Sequence, residues 1–360
     1  MQKHRKLISI VGARPQFVKL AALHEPLRQR FHHVIVHTGQ HYDTNMSGVF
    51  FKSLGIPKAT VNLGIGGGSH GAMTGRMLGA IERVIAQQKP DLILVYGDTN
   101  STLAGALAAS KMGVSVAHIE AGMRSFVKQM PEEINRRLTD HISDLLLCST
   151  AAAVKNCRSE KVMGEVVHCG DLMYELLHSH RDQIKNNRAV LTRHDLKPGE
   201  YLLATVHRAA NTDSQENLSA IVDILCEAQW PVLFPVHPRT RKMLRVHGLY
   251  RRLSRAENVT VTEPMSYHDT LAATAHARAV LTDSGGLQKE AIFLRTPVLT
   301  LRRETEWVEL VGRGNHLVGL DGGRVRRLLK RKLRVTPPAY RIGRRKPSEI
   351  IVAAITRFLF

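Results

Sequence analysis

The sequence predicts an α/β protein built as two doubly wound domains that face each other across a cleft. Short apolar or β-branched runs alternate with amphipathic stretches through most of the chain, the rhythm of parallel strands covered by helices. That rhythm breaks once, near Cys169-Gly170-Asp171 and the polar segment from His178 to Glu200, which reads as a helix plus linker. A chain of 360 residues also exceeds what one compact core organises, and 43% hydrophobic with 23% charged residues is a globular composition.

Five runs supply the strands of the first half: Leu7 to Val11, Val34 to Thr38, Leu92 to Tyr96, Val114 to Ile119 and Leu145 to Ser149. Five more supply the second: Tyr201 to Val206, Val232 to Val236, Val259 to Thr262, Val280 to Asp283 and Val298 to Leu301. Helical patterns such as Gln16 to Arg30 and Ala104 to Lys111 lie between them. The expected division is a Rossmann-like domain over 1–170, a second, nucleotide-binding one over 171–346, and a C-terminal helix over 347–360 that packs back on the first. Ligands of such domains sit at the carboxyl ends of the strands, so the polar residues just after each run are the candidates for chemistry.

Composition excludes several classes. The apolar run Leu7 to Val11 is far shorter than a signal peptide's hydrophobic region or a membrane span, and no other run approaches a span, so a cytoplasmic protein is expected. Cys148, Cys157, Cys169 and Cys226 show no CxxC and no paired metal-ligand spacing; buried free thiols and no metal site are expected. The net charge of +20 is concentrated between Arg324 and Lys346, with eleven Lys/Arg and no acid. That stretch has one aromatic, Tyr340, and no nucleic-acid motif accompanies it, so a solvated basic face is expected and no specific nucleic acid.

The sharpest nucleotide-binding signal is Leu281-Thr-Asp-Ser-Gly-Gly-Leu-Gln-Lys-Glu290, a strand running through a Gly-Gly turn into a helix. Glycines 285 and 286 let a diphosphate approach the backbone, and the helix N-terminus offers unpaired N–H donors. Ser284 can donate a hydrogen bond, and Glu290 can accept from both ribose hydroxyls. His207-Arg208 and His237-Pro238-Arg239 end two further strands, where cations stabilise a departing diphosphate. Gly66 to Gly71 matches GxGxxG formally, but no good strand precedes it and it reads as a loop. No GxxxxGK[ST] occurs.

In the first half, Gly12-Ala-Arg14-Pro-Gln-Phe-Val-Lys19 brings two cations to the sheet's carboxyl edge. Asp98 follows one strand and Glu120 another, and Glu132 opens a helix behind Pro131, with Arg136 one turn on. Any one of these acids alone is a helix cap or an Arg partner; Glu133, for instance, is spaced to pair with Arg137. Three acids converging from separate strand ends point instead to acid/base chemistry by Asp98, Glu120 and Glu132.

Taken together these segments resemble the non-hydrolysing UDP-N-acetylglucosamine 2-epimerase family, including its UDP-2,3-diacetamido-glucuronic acid branch, over nearly the whole chain. The resemblance is carried by GARPQFVK at 12–19, TGQHYD at 38–43, VYGDTNSTLAGALAA at 95–109, HIEAGMRS at 118–125, MPEEINRRLTDHISD at 130–144, TVHR at 205–208, VHPRT at 236–240, LTDSGGLQKEA at 281–291 and ETEWVELV at 304–311. It implies a glycosyltransferase-B-like fold, a homodimer, UDP held mainly by the second domain, and no redox cofactor. It also implies a reaction in which a base removes the proton at carbon 2 as UDP leaves carbon 1, and UDP then re-adds with the proton delivered to the opposite face. This is an isomerase activity suited to making surface-polysaccharide precursors. By the same resemblance Asp98, Glu120, Glu132 and His207 are the catalytic groups. Arg14, Lys19, Arg136, Arg208 and His237 bind substrate, and Ser284, Gly285, Gly286 and Glu290 contact UDP.

Three departures stand out. The stretch after the histidine reads His207-Arg-Ala-Ala-Asn211 and lacks an acid, Val127-Lys128 follow the Ser125-Phe126 pair, and Arg303 stands where an acid is common. Arg302 and Arg303 have the chemistry to pair with a uronate, which makes the diacetamido-glucuronate the alternative substrate. Activation by a second substrate molecule is expected to be weak, because Asp43 in Gln40-His41-Tyr42-Asp43 would repel a diphosphate. The other rivals are a glycosyltransferase of the same fold and a hydrolysing relative.

Overall fold

The computed structural model describes residues 5–40, 51, 54–337 and 345–360. His41 to Asp43, and Tyr340 to Arg344 of the basic stretch, lie outside the described residues. The chain forms two compact units, one of residues 1–176 with 340–360 and one of residues 177–339.

The first unit holds a seven-stranded parallel sheet in the order β3-β2-β1-β4-β5-β6-β7. Its strands are β1 (Lys6–Val11), β2 (His32–His37), β3 (Val61–Asn62), β4 (Leu92–Tyr96), β5 (Ser115–Ala121), β6 (Leu145–Cys148) and β7 (Glu165–His168). The second unit holds a six-stranded parallel sheet in the order β10-β9-β8-β11-β12-β13. There β8 is Leu202–Thr205, β9 Val232–Pro235, β10 Val259–Thr262, β11 Ala279–Thr282, β12 Val298–Thr300 and β13 Asn315–Leu317. In both sheets the chain winds outward one way, returns past its first strand and winds the other way. The two topological switch points, where open α/β sheets bind ligand, therefore lie between β1 and β4 and between β8 and β11.

The central strands read as continuous apolar runs because helices cover both faces, and every residue of β4 and of β11 is buried. Three strands escaped the sequence reading: β3 has two residues, β13 three, and β7 is partly exposed. None is long or apolar enough to stand out from a loop. The expected helix-plus-linker after His178 is instead a run of short helices, Leu172–Ser179, Arg181–Asn186 and Ala189–Arg193. The expected helix at Gln16 begins earlier, at Arg14, because Pro15 is tolerated in a first turn and the Gln16 side chain accepts from the Gly12 and Ala13 amides at 2.7 and 3.0 Å. The Gly66 to Gly68 loop feeds a helix, His70–Gln88, capped by Ser69.

The helix Pro347–Leu359 packs within the first unit, against the helix Arg14–Arg28 and β6. Glu175 accepts from the Ser348 amide and hydroxyl at 2.8 and 2.6 Å, all of it buried. The cysteines are free; Cys148 and Cys157 bring their sulfurs to 3.8 Å in the first unit's core. No helix among the described residues is long and apolar enough to cross a membrane.

Candidate active site

At the first unit's switch point the chain leaves β1 as Gly12-Ala13-Arg14 and leaves β4 as Gly97-Asp98. Gln16 ties the two exits together: besides accepting from the first loop, its amide donates to the Tyr96 carbonyl at 2.7 Å and to the Thr99 hydroxyl at 3.0 Å. Arg14, half-buried, is the first residue of its helix, where the dipole disfavours a cation, so helix stability is no reason for it. Glu132 occupies the first turn of the helix Pro131–Ile142, where an acid is favoured for helix stability alone.

Lys19 is buried on the same helix as Arg14, and its ammonium forms an ion pair with Glu120. Gly97 lies against this pair: a Cβ there would stand 3.3 Å from Lys19 Nζ and 3.4 Å from Glu120 Oε2. Asp98 receives both Nε and Nη2 of Arg136, at 3.0 and 2.6 Å. Arg136 is itself buried and gives its third nitrogen to Glu133 at 2.8 Å. Thus Lys19, Asp98, Glu120 and Arg136 gather at adjacent strand ends as two ion pairs, with Gly97 between them.

Glu133 does not pair with Arg137 as its spacing suggested. It turns inward to Arg136 and accepts from the Ser125 amide at 2.8 Å and the Phe126 amide at 3.2 Å, because the loop after β5 offers unsatisfied N–H donors that a solvent-facing arginine does not. Burial opposes ionisation of Glu133, but the Ser125 hydrogen bonds and the Arg136 charge prevail and hold its carboxyl below the usual range. Its work is to fix the loop after Glu120.

In the second unit the switch point joins His207-Arg208, after β8, to Asp283-Ser284, after β11. Asp283, fully buried, organises this junction: it accepts from the His207 and Arg208 amides at 3.1 and 3.0 Å and from the Asn211 side chain at 3.0 Å. The His207 ring is left half-exposed, 5.6 Å from the ring of His237. His237 caps the helix Pro238–Val246, its ring nitrogen accepting from the Arg239 amide at 3.2 Å.

Ser284 caps the helix Gly285–Phe293, and Glu290 lies buried between one and two turns along it. The two glycines have different environments. At Gly286 the nearest atom to an added Cβ would be Ser284 Oγ, at 4.0 Å, so the space on that side is open for a ligand. At Gly285 the missing side chain makes room for protein: a Cβ there would stand 2.0 Å from Glu306 Oε1. Glu306 is buried and joins two arginines, accepting from Arg302 at 2.9 Å and Arg208 at 3.4 Å. The Arg302 side chain is largely buried too and pairs with Glu306, while Arg303 is exposed.

Gln16, Asp283 and Glu306 were not among the residues anticipated. All three stand inside motifs quoted above, beside residues whose chemistry is more conspicuous. Glu306 lies some twenty positions beyond the helix N-terminus it serves, and no spacing rule points to it.

Two parallel Rossmann-type sheets, each with its polar groups collected at the switch point, define a glycosyltransferase-B-like α/β protein. Residues 25–346 match the UDP-N-acetylglucosamine 2-epimerase family model. A UDP-N-acetylglucosamine 2-epimerase homolog of Methanococcus maripaludis is 49% identical over 87% of this chain and 88% of its own. The UDP-2,3-diacetamido-2,3-dideoxy-D-glucuronate 2-epimerase of Pseudomonas aeruginosa is 47% identical over the same shares. The crystal structure of Methanocaldococcus jannaschii UDP-GlcNAc 2-epimerase in complex with UDP-GlcNAc and UDP superposes with a TM-score of 0.90 at 38% identity, covering 98% of this chain and 99% of that one. The chain belongs to the UDP-N-acetylglucosamine 2-epimerase family and is an epimerase.

Proposed function

We propose that this enzyme interconverts UDP-N-acetylglucosamine and UDP-N-acetylmannosamine by elimination and re-addition of UDP, as a cytoplasmic homodimer. The observation that carries the reading is the pairing of carboxylates with cations at the strand ends of the first unit, in a chain whose second unit carries a nucleotide-type strand, turn and helix. A carboxylate among Asp98, Glu120 and Glu132 takes the proton from carbon 2. The C–H electrons form the C1=C2 double bond as the C1–O bond breaks and its pair leaves with UDP. Arg14, Lys19, Arg136, Arg208, His207 and His237 stabilise the charge of the departing diphosphate, while Ser284, Gly285, Gly286 and Glu290 hold the nucleotide. Return of the proton to the opposite face of the glucal, with re-addition of UDP to carbon 1, completes the epimerisation.

Proton NMR with UDP-N-acetylglucosamine in heavy water tests this. Deuterium at carbon 2 of both epimers is expected, with the UDP-sugar conserved apart from traces of UDP and glucal. Interconversion without solvent deuterium would refute the mechanism, and stoichiometric release of free sugar would point to hydrolysis instead.

A second substrate is supported by two observations: a relative at 47% identity is named for the diacetamido-glucuronate, and Arg303 is exposed after β12. If Arg303 reads the uronate carboxylate, Arg303→Asp lowers kcat/KM for that substrate by on the order of tenfold or more and barely alters the neutral sugar. Equal effects on both sugars would remove this reading.

A further inference from the structure

Glu120 has an unusual backbone. Its φ is +69°, in the left-handed region that a side chain with a Cβ rarely adopts, and β5 slips its register against β6 between Ile119 and Ala121. Such a conformation persists only when its surroundings over-determine it.

The surroundings that do so converge on one carboxylate. Asp140, on the helix Pro131–Ile142, is fully buried. Its Oδ1 lies 2.7 Å from His118 Nδ1, two residues before Glu120, and its Oδ2 accepts from the Gly122 amide at 3.0 Å, two residues after. Asp140 therefore grips the strand on both sides of the strained residue. The grip is anchored in turn: Arg124 Nη1 lies 2.7 Å from Asp140 Oδ2, and Arg124 is held by Glu160 at 2.9 and 2.8 Å. His118 Nε2 meets the Gly97 carbonyl at 2.7 Å, so the same network fixes the residue against which the Lys19–Glu120 pair rests.

We propose that Asp140 is a positioning residue for Glu120: by holding His118 and Gly122 it locks the left-handed turn that delivers the Glu120 carboxylate onto Lys19. The assignment rests on the acid/base role proposed for Glu120. Asp140 itself touches none of the groups proposed to meet substrate; its effect on the reaction passes through backbone geometry.

The test is Asp140→Asn, which keeps the size of the side chain and removes its charge from the His118–Arg124 junction. Turnover of UDP-N-acetylglucosamine is expected to fall about thirtyfold or more, with KM and the calorimetric affinity for UDP within about threefold of the unaltered enzyme. Deuterium entry at carbon 2 should fall in step with kcat. In a Glu120→Gln background the Asp140→Asn change should add less than about threefold, because it acts through the group already removed. Glu160→Gln, at the solvent side of the network, should lower kcat severalfold at constant KM and gives the answer if Asp140→Asn does not fold. Full turnover in both variants, parallel loss of UDP affinity, or independent multiplicative losses with Glu120→Gln would each overturn the role. If the unaltered chain exchanges no deuterium at carbon 2, the epimerisation reading fails first, and this proposal falls with it.

Discussion

Gly285→Ala separates the role of one glycine from that of its neighbour. A methyl at 285 would stand 2.0 Å from Glu306 Oε1 and 3.4 Å from Trp307 Nε1, and neither neighbour has slack. Glu306 is tied to Arg302 and Arg208, and the Trp307 ring lies 4.0 Å from the buried ammonium of Lys289. Breaking a buried ion pair costs about 3–5 kcal/mol. Replacing glycine by alanine in a helix returns at most about 1 kcal/mol, so the net loss is about 2–4 kcal/mol. In a unit of this size, residues 177–339, each kcal/mol lowers Tm by roughly 2–4 °C, so a loss of about 3 kcal/mol moves its transition down by roughly 6–12 °C. Gly286→Ala, with nothing nearer than 4.0 Å, should leave the transition within about 2 °C and weaken UDP binding alone. Scanning calorimetry with and without UDP reads both quantities. Adding Glu306→Ala to Gly285→Ala removes the collision, and the pair should lose less than the sum of the single changes. A Gly285→Ala protein as stable as the original would show that Glu306 moves aside without cost and would refute this account.

Three further outcomes are expected. Asp98→Asn, Glu120→Gln and Glu132→Gln should each cut turnover by roughly a hundredfold or more while UDP affinity stays nearly intact, and Glu290→Ala should do the reverse; calorimetry showing that the three first-unit changes abolish UDP binding would contradict the division of labour. Burial, helped by the charges of His24 and His32, pushes the His33 imidazole down to about 3, and its Nε2 lies 2.7 Å from the Ser9 hydroxyl. The unfolded chain therefore takes up that proton first: the contribution is whole above about pH 6.5 and shrinks as pH falls toward 3, by up to about 1.4 kcal/mol per unit, and His33→Gln should flatten this part of a Tm-against-pH curve. Deleting residues 347–360 uncovers the partners of Ile351 and Ile355 and strands the buried Glu175 carboxylate, so the truncated chain should lose about 5 kcal/mol or more in denaturant unfolding; an unchanged midpoint would show the helix to be dispensable.

Much of the fold was legible in the sequence because a strand buried on both faces can be little else. The run at 92–96 is apolar up to Tyr96 and that at 279–281 is apolar throughout, and each is followed by polar groups at a strand's carboxyl end. The nucleotide-type turn at 283–286 was legible for the same reason: a strand, two glycines and a helix are local, and local order survives in one dimension. The edge strands at 61–62 and 315–317 were not, since two or three paired residues leave no periodicity to detect.

Partnership is what the sequence by itself did not determine. Spacing along a helix offered Arg137 to Glu133, but the three-dimensional surroundings offered the buried Glu133 carboxylate two loop amides, at Ser125 and Phe126, together with the buried Arg136, and leaving a buried charge without such partners costs more than a surface ion pair returns. Composition at 302–303 offered two arginines to a sugar carboxylate, and tertiary packing took Arg302 for Glu306. Glycine 285, legible as a cradle for phosphate, also clears a path for that same Glu306, some twenty residues distant in the chain. The left-handed turn at Glu120 has no signature in residue type at all, because it is imposed by Asp140 from another element. Motifs and strands are fixed by neighbours along the chain and so are written in it. Which carboxylate meets which cation is decided by burial, where the cost of leaving any charge unpaired makes the choice depend on every group within reach.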